Sequence, residues 1–394
     1  MENIVMVAGQ RTPFGAFGGS LKDLSATDLS VIASQATLAQ AGISASEVDH
    51  VVIGNVVQSS ADAAYLARHV GLKVGAPVST PAVTINRLCG SGFQAWVQAV
   101  QMIQTGEATC VLAGGPEQMT QIPYVLRNVR FGGIRMGNGQ LEDYMTSALT
   151  DSYAGIPMAI TAENLGEKYG ITRAQVDQYS MQSQQRYDLA FKSGKFEKEI
   201  TAVKVETKKG LLEITKDEHP KPDVTLEKIG GMKPLFKKDG LVTAATASGV
   251  VDGAASSLLM SESKAKQLGV KPLARIVSYA SVGCQPEIMG IGPAGAVRKA
   301  LQKAGLQLSE IDLIEVNEAF AAQYLAVEKE LQLDSSKTNV NGGAIAVGHP
   351  LAASGTRIMN HLVYELQRRS ARYALGSACI GGGQGIAVII ERLG

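Results

Sequence analysis

The sequence predicts an α/β protein made of two duplicated α/β halves with an insertion between them, and three observations carry that prediction. Short apolar runs alternate with segments of helical period: Ile4–Ala8 precedes Ser25–Ala41, and Val51–Val57 follows. An internal repeat lays Ala41-Gly42-Ile43-Ser44-Ala45-Ser46-Glu47-Val48-Asp49 over Ala304-Gly305-Leu306-Gln307-Leu308-Ser309-Glu310-Ile311-Asp312 at an offset of 263 residues. With no gap, that offset also carries Asn86–Gly92 onto His349–Gly355, so a Ser-Gly turn recurs in register. Finally, from Gln121 to Ala247 the chain is richer in charge and in Gly/Pro interruptions, which reads as an inserted loop domain. The expected division is residues 1–120 with 248–270, then the insertion 121–247, then 271–394.

Taken in order, Ile4–Ala8 is a strand and Arg11–Leu21 a Gly-rich loop. Ser25–Ala41 is a helix, capped by Ser25 or Thr27, with Asp28 in its first turn and Gly42 as its stop. Val51–Val57 reads as a strand, 62–70 as a helix and Ala82–Ile85 as a short buried strand. After a turn at Asn86-Arg87-Leu88, Cys89-Gly90-Ser91-Gly92 opens a helix whose apolar positions Phe93, Trp96, Val97, Val100 and Ile103 recur at helical spacing until Gly106. The insertion holds helices at Ala159–Tyr169 and from Arg173 to Ser193, and a hairpin-like turn at Lys208-Lys209-Gly210. Its lysines between Lys216 and Lys238 form a solvated face that could also meet phosphates. In the second half Ile311–Val316 is a strand running into Asn317-Glu318 and a helix from Ala319, and Tyr373–Ala378 is a strand ending in Cys379-Ile380-Gly381.

Bulk properties exclude several classes. With 45% hydrophobic residues, 19% charged and a net charge of +1, the chain has an ordinary globular composition and no global field for nucleic acid or anionic membrane. No apolar run reaches membrane-spanning length, and Met1-Glu2-Asn3 leads into an apolar run with no basic leader, so a cytoplasmic location is expected. The four cysteines, Cys89, Cys110, Cys284 and Cys379, form no CxxC pair, which argues against a metal site and a redox dithiol.

Cys89 is the candidate nucleophile. A thiol at a helix N-terminus meets free N–H groups and the positive end of the helix dipole, which favour the thiolate. In isolation, a cysteine beside a small-residue turn is a buried structural thiol. Gly90-Ser91-Gly92-Phe93-Gln94-Ala95 also satisfies GxGxxA, but the following strand, read as Cys110–Ala113, has no ribose-binding carboxylate at its tip, although Glu117 lies just beyond, so an NAD-dependent dehydrogenase is only a distant alternative. The second half supplies what a nucleophile needs: a histidine in Gly348-His349-Pro350, an asparagine after a strand, and a second thiol beside Gly381-Gly382-Gly383, whose backbone can offer N–H groups to an oxyanion.

Six motifs then meet a known family in order. NRLCGSG surrounds Cys89, GGPEQM spans Gly114–Met119, MAITAENL spans Met158–Leu165, VNEAF spans Val316–Phe320, NGGAIAVGHPLAASG spans Asn341–Gly355 and CIGGGQG spans Cys379–Gly385. Over essentially its whole length the sequence resembles the thiolases, more closely the acetyl-CoA acetyltransferase type. The resemblance implies a five-layered α-β-α-β-α sandwich and condensation of two acetyl-CoA, or the reverse thiolysis, through an acyl-thioester on Cys89. It implies His349 as the base for Cys89, Cys379 as the acid/base at the α-carbon, and oxyanion donors from His349, a water held by Asn317, and the N–H groups of Cys89 and Gly381. Coenzyme A is implied as substrate with no tightly bound cofactor: Ser248 and Gly249 at the pantetheine arm, Lys221 near the adenine, and Leu149, Met158, Phe236, Met289 and Phe320 as apolar lining. A homo-oligomer, tetramer before dimer, is implied as well. The nearest enzymatic alternative is a degradative 3-ketoacyl-CoA thiolase of broader chain length. Departures from the family pattern fall at Ala352, at Thr246, at Pro157 and in Gly292-Pro293-Ala294-Gly295-Ala296, where pocket shape rather than chemistry is affected.

Overall fold

A computed structural model describes residues 2–208 and 210–393. In the first half the elements are β1 (Ile4–Arg11), α1 (Ala26–Ala41), β2 (His50–Gly54), α2 (Leu66–Lys73), β3 (Ala82–Ile85), α3 (Ser91–Gln104) and β4 (Cys110–Glu117). The stretch from 121 contains α4 (Met158–Tyr169) and α5 (Arg173–Lys192), after which β5 (Val251–Ser261) returns between β1 and β4. The second half is β6 (Ala274–Gly283), α6 (Gly292–Ala304), β7 (Leu313–Val316), α7 (Ala321–Leu331), α8 (Leu351–Arg369), β8 (Tyr373–Ile380) and β9 (Gln384–Arg392).

The strands lie in the order β7-β8-β9-β6-β1-β5-β4-β2-β3. Between β6 and β1 the pairing is confined to Val5 with Arg275 and Met6 with Ala274, so two half-sheets touch at one end and diverge. Three apolar clusters fill the spaces. One packs α1 and α2 on the first half-sheet through Leu38, Leu66, Val51 and Leu112. A second packs α6 and α7 on the other through Val297, Ala326, Ile314 and Leu375. The third holds α3 and α8 between the half-sheets, with Phe93, Trp96, Ile358 and Leu362 meeting Val111 and Val388. That stacking is the five-layered α-β-α-β-α sandwich.

The repeat is visible in the packing. Gly42 and Gly305, offset partners, both end their helices in the left-handed conformation (φ 65° and 67°). Gly92 and Gly355, partners at the same offset, face each other where α3 crosses α8. A Cβ on Gly92 would lie 2.6 Å from the Ala352 carbonyl, and one on Gly355 would lie 2.3 Å from the Phe93 nitrogen. Contact between equivalent positions is what a two-fold relation produces. The recurring Ser-Gly turn is therefore the crossing point of the central helices.

Helix starts follow their caps: Ser25 and Asp28 form a capping box on α1, and Thr172 with Gln175 does the same on α5. Several boundaries differ from the sequence reading: β2 stops at Gly54 rather than Val57, β7 starts at Leu313 rather than Ile311, and α7 starts at Ala321 rather than Ala319. Residues 63–65 form a 3-10 turn before α2, and β3 is half-exposed rather than buried because it is the sheet's edge, paired only with β2. Val203–Thr207 and Gly210–Ile214 pair as an antiparallel hairpin, while Lys209 of the expected turn lies outside the described residues.

Candidate active site

Cys89 stands just outside α3, in a single 3-10 turn formed by Leu88, Cys89 and Gly90. Leu88 adopts φ 46°, a left-handed conformation that costs a non-glycine residue about 1–2 kcal/mol. Local hydrogen bonds hold it there: Leu88 N–H donates to Asn86 Oδ1 (2.9 Å), Arg87 N–H to Ser91 Oγ (2.9 Å), and Ser91 Oγ to the Leu88 carbonyl (2.7 Å). The N–H groups of Gly381 and of Cys89 itself approach the sulfur.

Those donors do not make the thiol acidic. Part of Cys89 is accessible, but the sulfur is packed densely enough that burial pushes its pKa up to about 11, and the charge of Glu117 adds to the rise. The expectation of a thiolate favoured by the helix end is thus corrected: desolvation outweighs the N–H groups. A separate base is needed.

His349 has the properties of one. It sits between Gly348 (φ 96°) and Pro350, with its N–H donated to the Gly249 carbonyl at 2.9 Å. Its Nε2 lies 3.4 Å from Asn317 Nδ2, which can only donate, so the proton resides on Nδ1, 2.5 Å from Ser354 Oγ. Burial first, and then the Arg357 guanidinium, push His349 down to about 3. The ring is neutral at any working pH and presents a lone pair at Nε2.

Cys379 is the penultimate residue of β8 and fully buried. Burial raises its pKa well above the usual thiol range, followed by the charge of Cys89, so the two sulfurs interact electrostatically. Asn317 follows β7 and donates its N–H to the Ser377 carbonyl (2.9 Å), which sets it beside β8 two residues from Cys379. Its Oδ1 is buried with no hydrogen-bond partner among the described residues. Gly381 directly follows β8, and a Cβ there would lie 3.2 Å from Leu88 Cδ1 and 3.3 Å from Met158 Sδ. Strand ends and turns from both halves therefore deliver Cys89, His349, Cys379, Asn317 and Gly381 to one region.

Met289, Ala319 and Cys379 form one buried apolar cluster, with Met158 and Phe320 packed against it. Leu149 is tied to it, since its carbonyl accepts from Met158 N–H at 2.9 Å. Ser248 N–H donates to the Ala319 carbonyl (3.0 Å), and Gly249 lies under the His219 ring. Lys221 and Phe236 are exposed on the insertion and stand outside this cluster. Three departures have local explanations: Ala352 is fully buried and donates its N–H to Glu117, Thr246 bonds the Leu241 carbonyl and the Thr243 N–H, and Pro157 is the N-cap of α4.

Sequence reasoning missed three supporting groups. Ser354 orients His349, and its signal was its place within GHPLAASG. Glu318 is fully buried and accepts from Tyr179 Oη, Ser183 Oγ, Asn339 Nδ2 and Ile345 N–H at 2.6–3.0 Å, fixing the loop that carries Asn317. Glu117 lay in GGPEQM but had no visible partner there.

Comparison with known proteins adds the following. Residues 4–263 match the family model "Thiolase, N-terminal domain" and residues 270–392 match "Thiolase, C-terminal domain". The chain is 57% identical over 391 residues to the mitochondrial 3-ketoacyl-CoA thiolase of Homo sapiens, covering 99% of this chain and 98% of that one. It is 50% identical over 391 residues to the acetyl-CoA acetyltransferase of Chromobacterium violaceum, with 99% of each covered. Among solved structures, human mitochondrial 3-ketoacyl-CoA thiolase in complex with CoA superposes with a TM-score of 0.97 at 56% identity, over 100% of this chain and 98% of that one. Bacillus anthracis acetyl-CoA acetyltransferase gives 0.97 at 45% identity, over 100% and 99%.

Proposed function

The chain belongs to the thiolase family, and from that premise we propose that Cys89 carries the acyl group in transfer between coenzyme A thioesters, with acetoacetyl-CoA and two acetyl-CoA on the two sides of the reaction. In thiolysis Cys89 gives its proton to His349 Nε2 and its sulfur attacks the 3-keto carbonyl. The C2–C3 bond breaks, and Cys379 protonates the departing carbanion to release acetyl-CoA, leaving an acyl-thioester on Cys89. Free CoA then attacks that thioester, its proton returns to Cys379, and the expelled Cys89 sulfur recovers its proton from His349. Condensation is the same path reversed. Cys89 and Gly381 N–H groups serve one oxyanion, and His349 with a water on Asn317 Oδ1 serves the other.

The observation that carries this reading is the convergence of two thiols with a neutral imidazole whose Nε2 is an acceptor. In this reading Ser248, Gly249, Leu149, Met158, Met289 and Phe320, packed at or beside this region, meet the arm of CoA, and the exposed Lys221 and Phe236 meet its outer end. Higher identity to the human 3-ketoacyl-CoA thiolase than to the bacterial acetyltransferase favours a second reading, degradation of longer 3-ketoacyl-CoA substrates. Initial thiolysis rates with acetoacetyl-CoA against a longer 3-ketoacyl-CoA decide: a preference for the C4 substrate supports the first, and rates that hold or rise with chain length support the second.

A homotetramer is proposed because the excursion after β4 exposes Tyr124, Phe131 (93%), Met136 (95%) and Leu141, large apolar side chains that association would cover. Sedimentation velocity tests it, with Phe131→Asp plus Met136→Asp expected to yield a smaller species. A reducing compartment, the cytoplasm, fits four unpaired thiols of which two must stay reduced to act. Cell fractionation decides between it and the organelle named for the human relative.

A further inference from the structure

Glu117 ends β4 with its side chain fully buried, and no cation among the described residues compensates it. Instead the carboxylate accepts from Asn55 Nδ2 (3.1 Å), Val56 N–H (3.2 Å) and Val57 N–H (3.0 Å) in the turn after β2, and from Ala352 N–H (3.0 Å) in the first turn of α8. The last bond crosses from the first half to the second, three residues beyond His349. The same crossing is tight elsewhere, since a Cβ on Gly115 would lie 2.6 Å from the Ala352 carbonyl.

Groups facing Glu117 from the neighbouring elements are few. On β5 its pairing partner is Gly253, and the adjacent Asp252 is turned to Thr120. The turn after β2 offers only Asn55 and main chain. From α8 comes Ala352 N–H, with His349 just before the helix, and from the turn before α3 comes Cys89, the titratable group whose proton affinity Glu117 raises. Burial lifts Glu117 itself to about 7. An uncompensated buried carboxylate is costly unless its hydrogen bonds are all made. Here they join the two catalytic turns.

We propose that Glu117 is a positioning residue: by accepting from Ala352 N–H and from the turn after β2 at once, its carboxylate fixes the turn bearing His349 against the half bearing Cys89. The inference rests on the roles given above to Cys89 and His349. A carboxylate at a helix N-terminus is favoured by the free N–H groups and the dipole, so the α8 end can hold this charge without a cation. Ala352 belongs to this contact through its main-chain N–H.

Two variants separate reach from charge. In Glu117→Gln, Oε1 can still serve the turn after β2, but the amide NH2 confronts Ala352 N–H, donor against donor. Glu117→Asp keeps the charge but is one methylene too short to bridge both sites. Each is expected to lower kcat for thiolysis of acetoacetyl-CoA by about ten- to a hundredfold, the loss of one charge-assisted bond, with KM little changed. Only Glu117→Gln should shift the pH dependence of Cys89 alkylation by iodoacetamide, toward lower pH, because it removes a like charge. Wild-type kcat in a folded Glu117→Asp overturns the proposal, as does a Glu117→Gln whose activity falls only in proportion to its folded fraction with an unmoved alkylation profile. If Glu117→Gln does not fold, Glu117→Asp alone decides through kcat against KM. Acylation of wild-type Cys89 by acetoacetyl-CoA is measured alongside: its absence refutes the Cys89 reading itself, whereas normal acylation in the wild type with wild-type kinetics in both variants refutes only the tether.

Discussion

The ends of β4 and β8 occupy equivalent places in the two halves, yet they carry opposite chemistry. Pro116 and Glu117 close the first strand, and Cys379 and Ile380, their offset partners, close the second. Likewise Gly54 ends β2 where Asn317 follows β7, and the turn before α3 delivers a thiol where the one before α8 delivers an imidazole. A duplicated scaffold thus brings two non-identical sets of groups to one centre. The first half gives the proposed nucleophile and the buried carboxylate behind it; the second gives the proposed base, the second thiol and the asparagine. Where the halves have a purely structural job they remain alike, as at Gly42 and Gly305 or Gly92 and Gly355.

That comparison can be broken most severely at Cys89. Cys89→Ala should abolish acyl-enzyme formation and lower turnover by on the order of 10⁴ or more, as read by mass spectrometry after acetoacetyl-CoA treatment and by initial rates. Cys379→Ser should separate the halves' roles by degree: acetyl transfer from acetyl-CoA to Cys89, in which a CoA thiolate can depart with little proton donation from Cys379, falls less than carbon–carbon bond formation, which falls by roughly 10³. Equal loss of both half-reactions would merge roles that the geometry keeps apart. A smaller loss is expected from Ser354→Ala, which frees His349 Nδ1 and should cost about tenfold in kcat.

The pH behaviour follows from the same environments. Burial holds the Cys89 thiol up to about 11, so its alkylation in the free enzyme should rise with pH well past the ordinary thiol midpoint of about 8.5. His349, held down to about 3, stays neutral and contributes no inflection between pH 5 and pH 9. Stability carries one further sign. Burial raises Glu117 to about 7, above its ordinary value of about 4.5, so its protonated form favours the fold below that ordinary value, and the contribution is lost as pH rises through 7. Urea midpoints of wild type and Glu117→Gln across that window should converge at the acid end. The gentlest test uses the conserved symmetry: Gly42→Ala and Gly305→Ala, with open space around each, should each lose about 1 kcal/mol from the left-handed backbone alone. Unequal losses would show that the two helix exits are not mechanically equivalent.

Much of this was legible in the chain. Periodicity and caps placed α1, α3 and α5 because Ser25, Gly106 and Thr172 act locally, and the offset of 263 residues exposed the duplication because Gly92 and Gly355 must be glycine for the helices to cross. Motif order gave the family, and with it the side chains proposed to react. What stayed hidden was set by tertiary contact. The acidity of Cys89 depends on how much protein surrounds the sulfur, which no local pattern records. Exposure of β3 depends on its being last in the sheet. Leu88 carries a left-handed turn that only Asn86 and Ser91 together stabilise, and Glu117 acquires its partner from a residue 235 positions away.

The central claim is that groups from both halves act on one acyl group held by Cys89. The most direct measurement is peptide mapping of the enzyme after mixing with acetoacetyl-CoA in the absence of free CoA. The account predicts one acetyl group per active site, on Cys89, released as acetyl-CoA when CoA is added. An acyl group found instead on Cys379, or turnover with no covalent intermediate on either thiol, would contradict it.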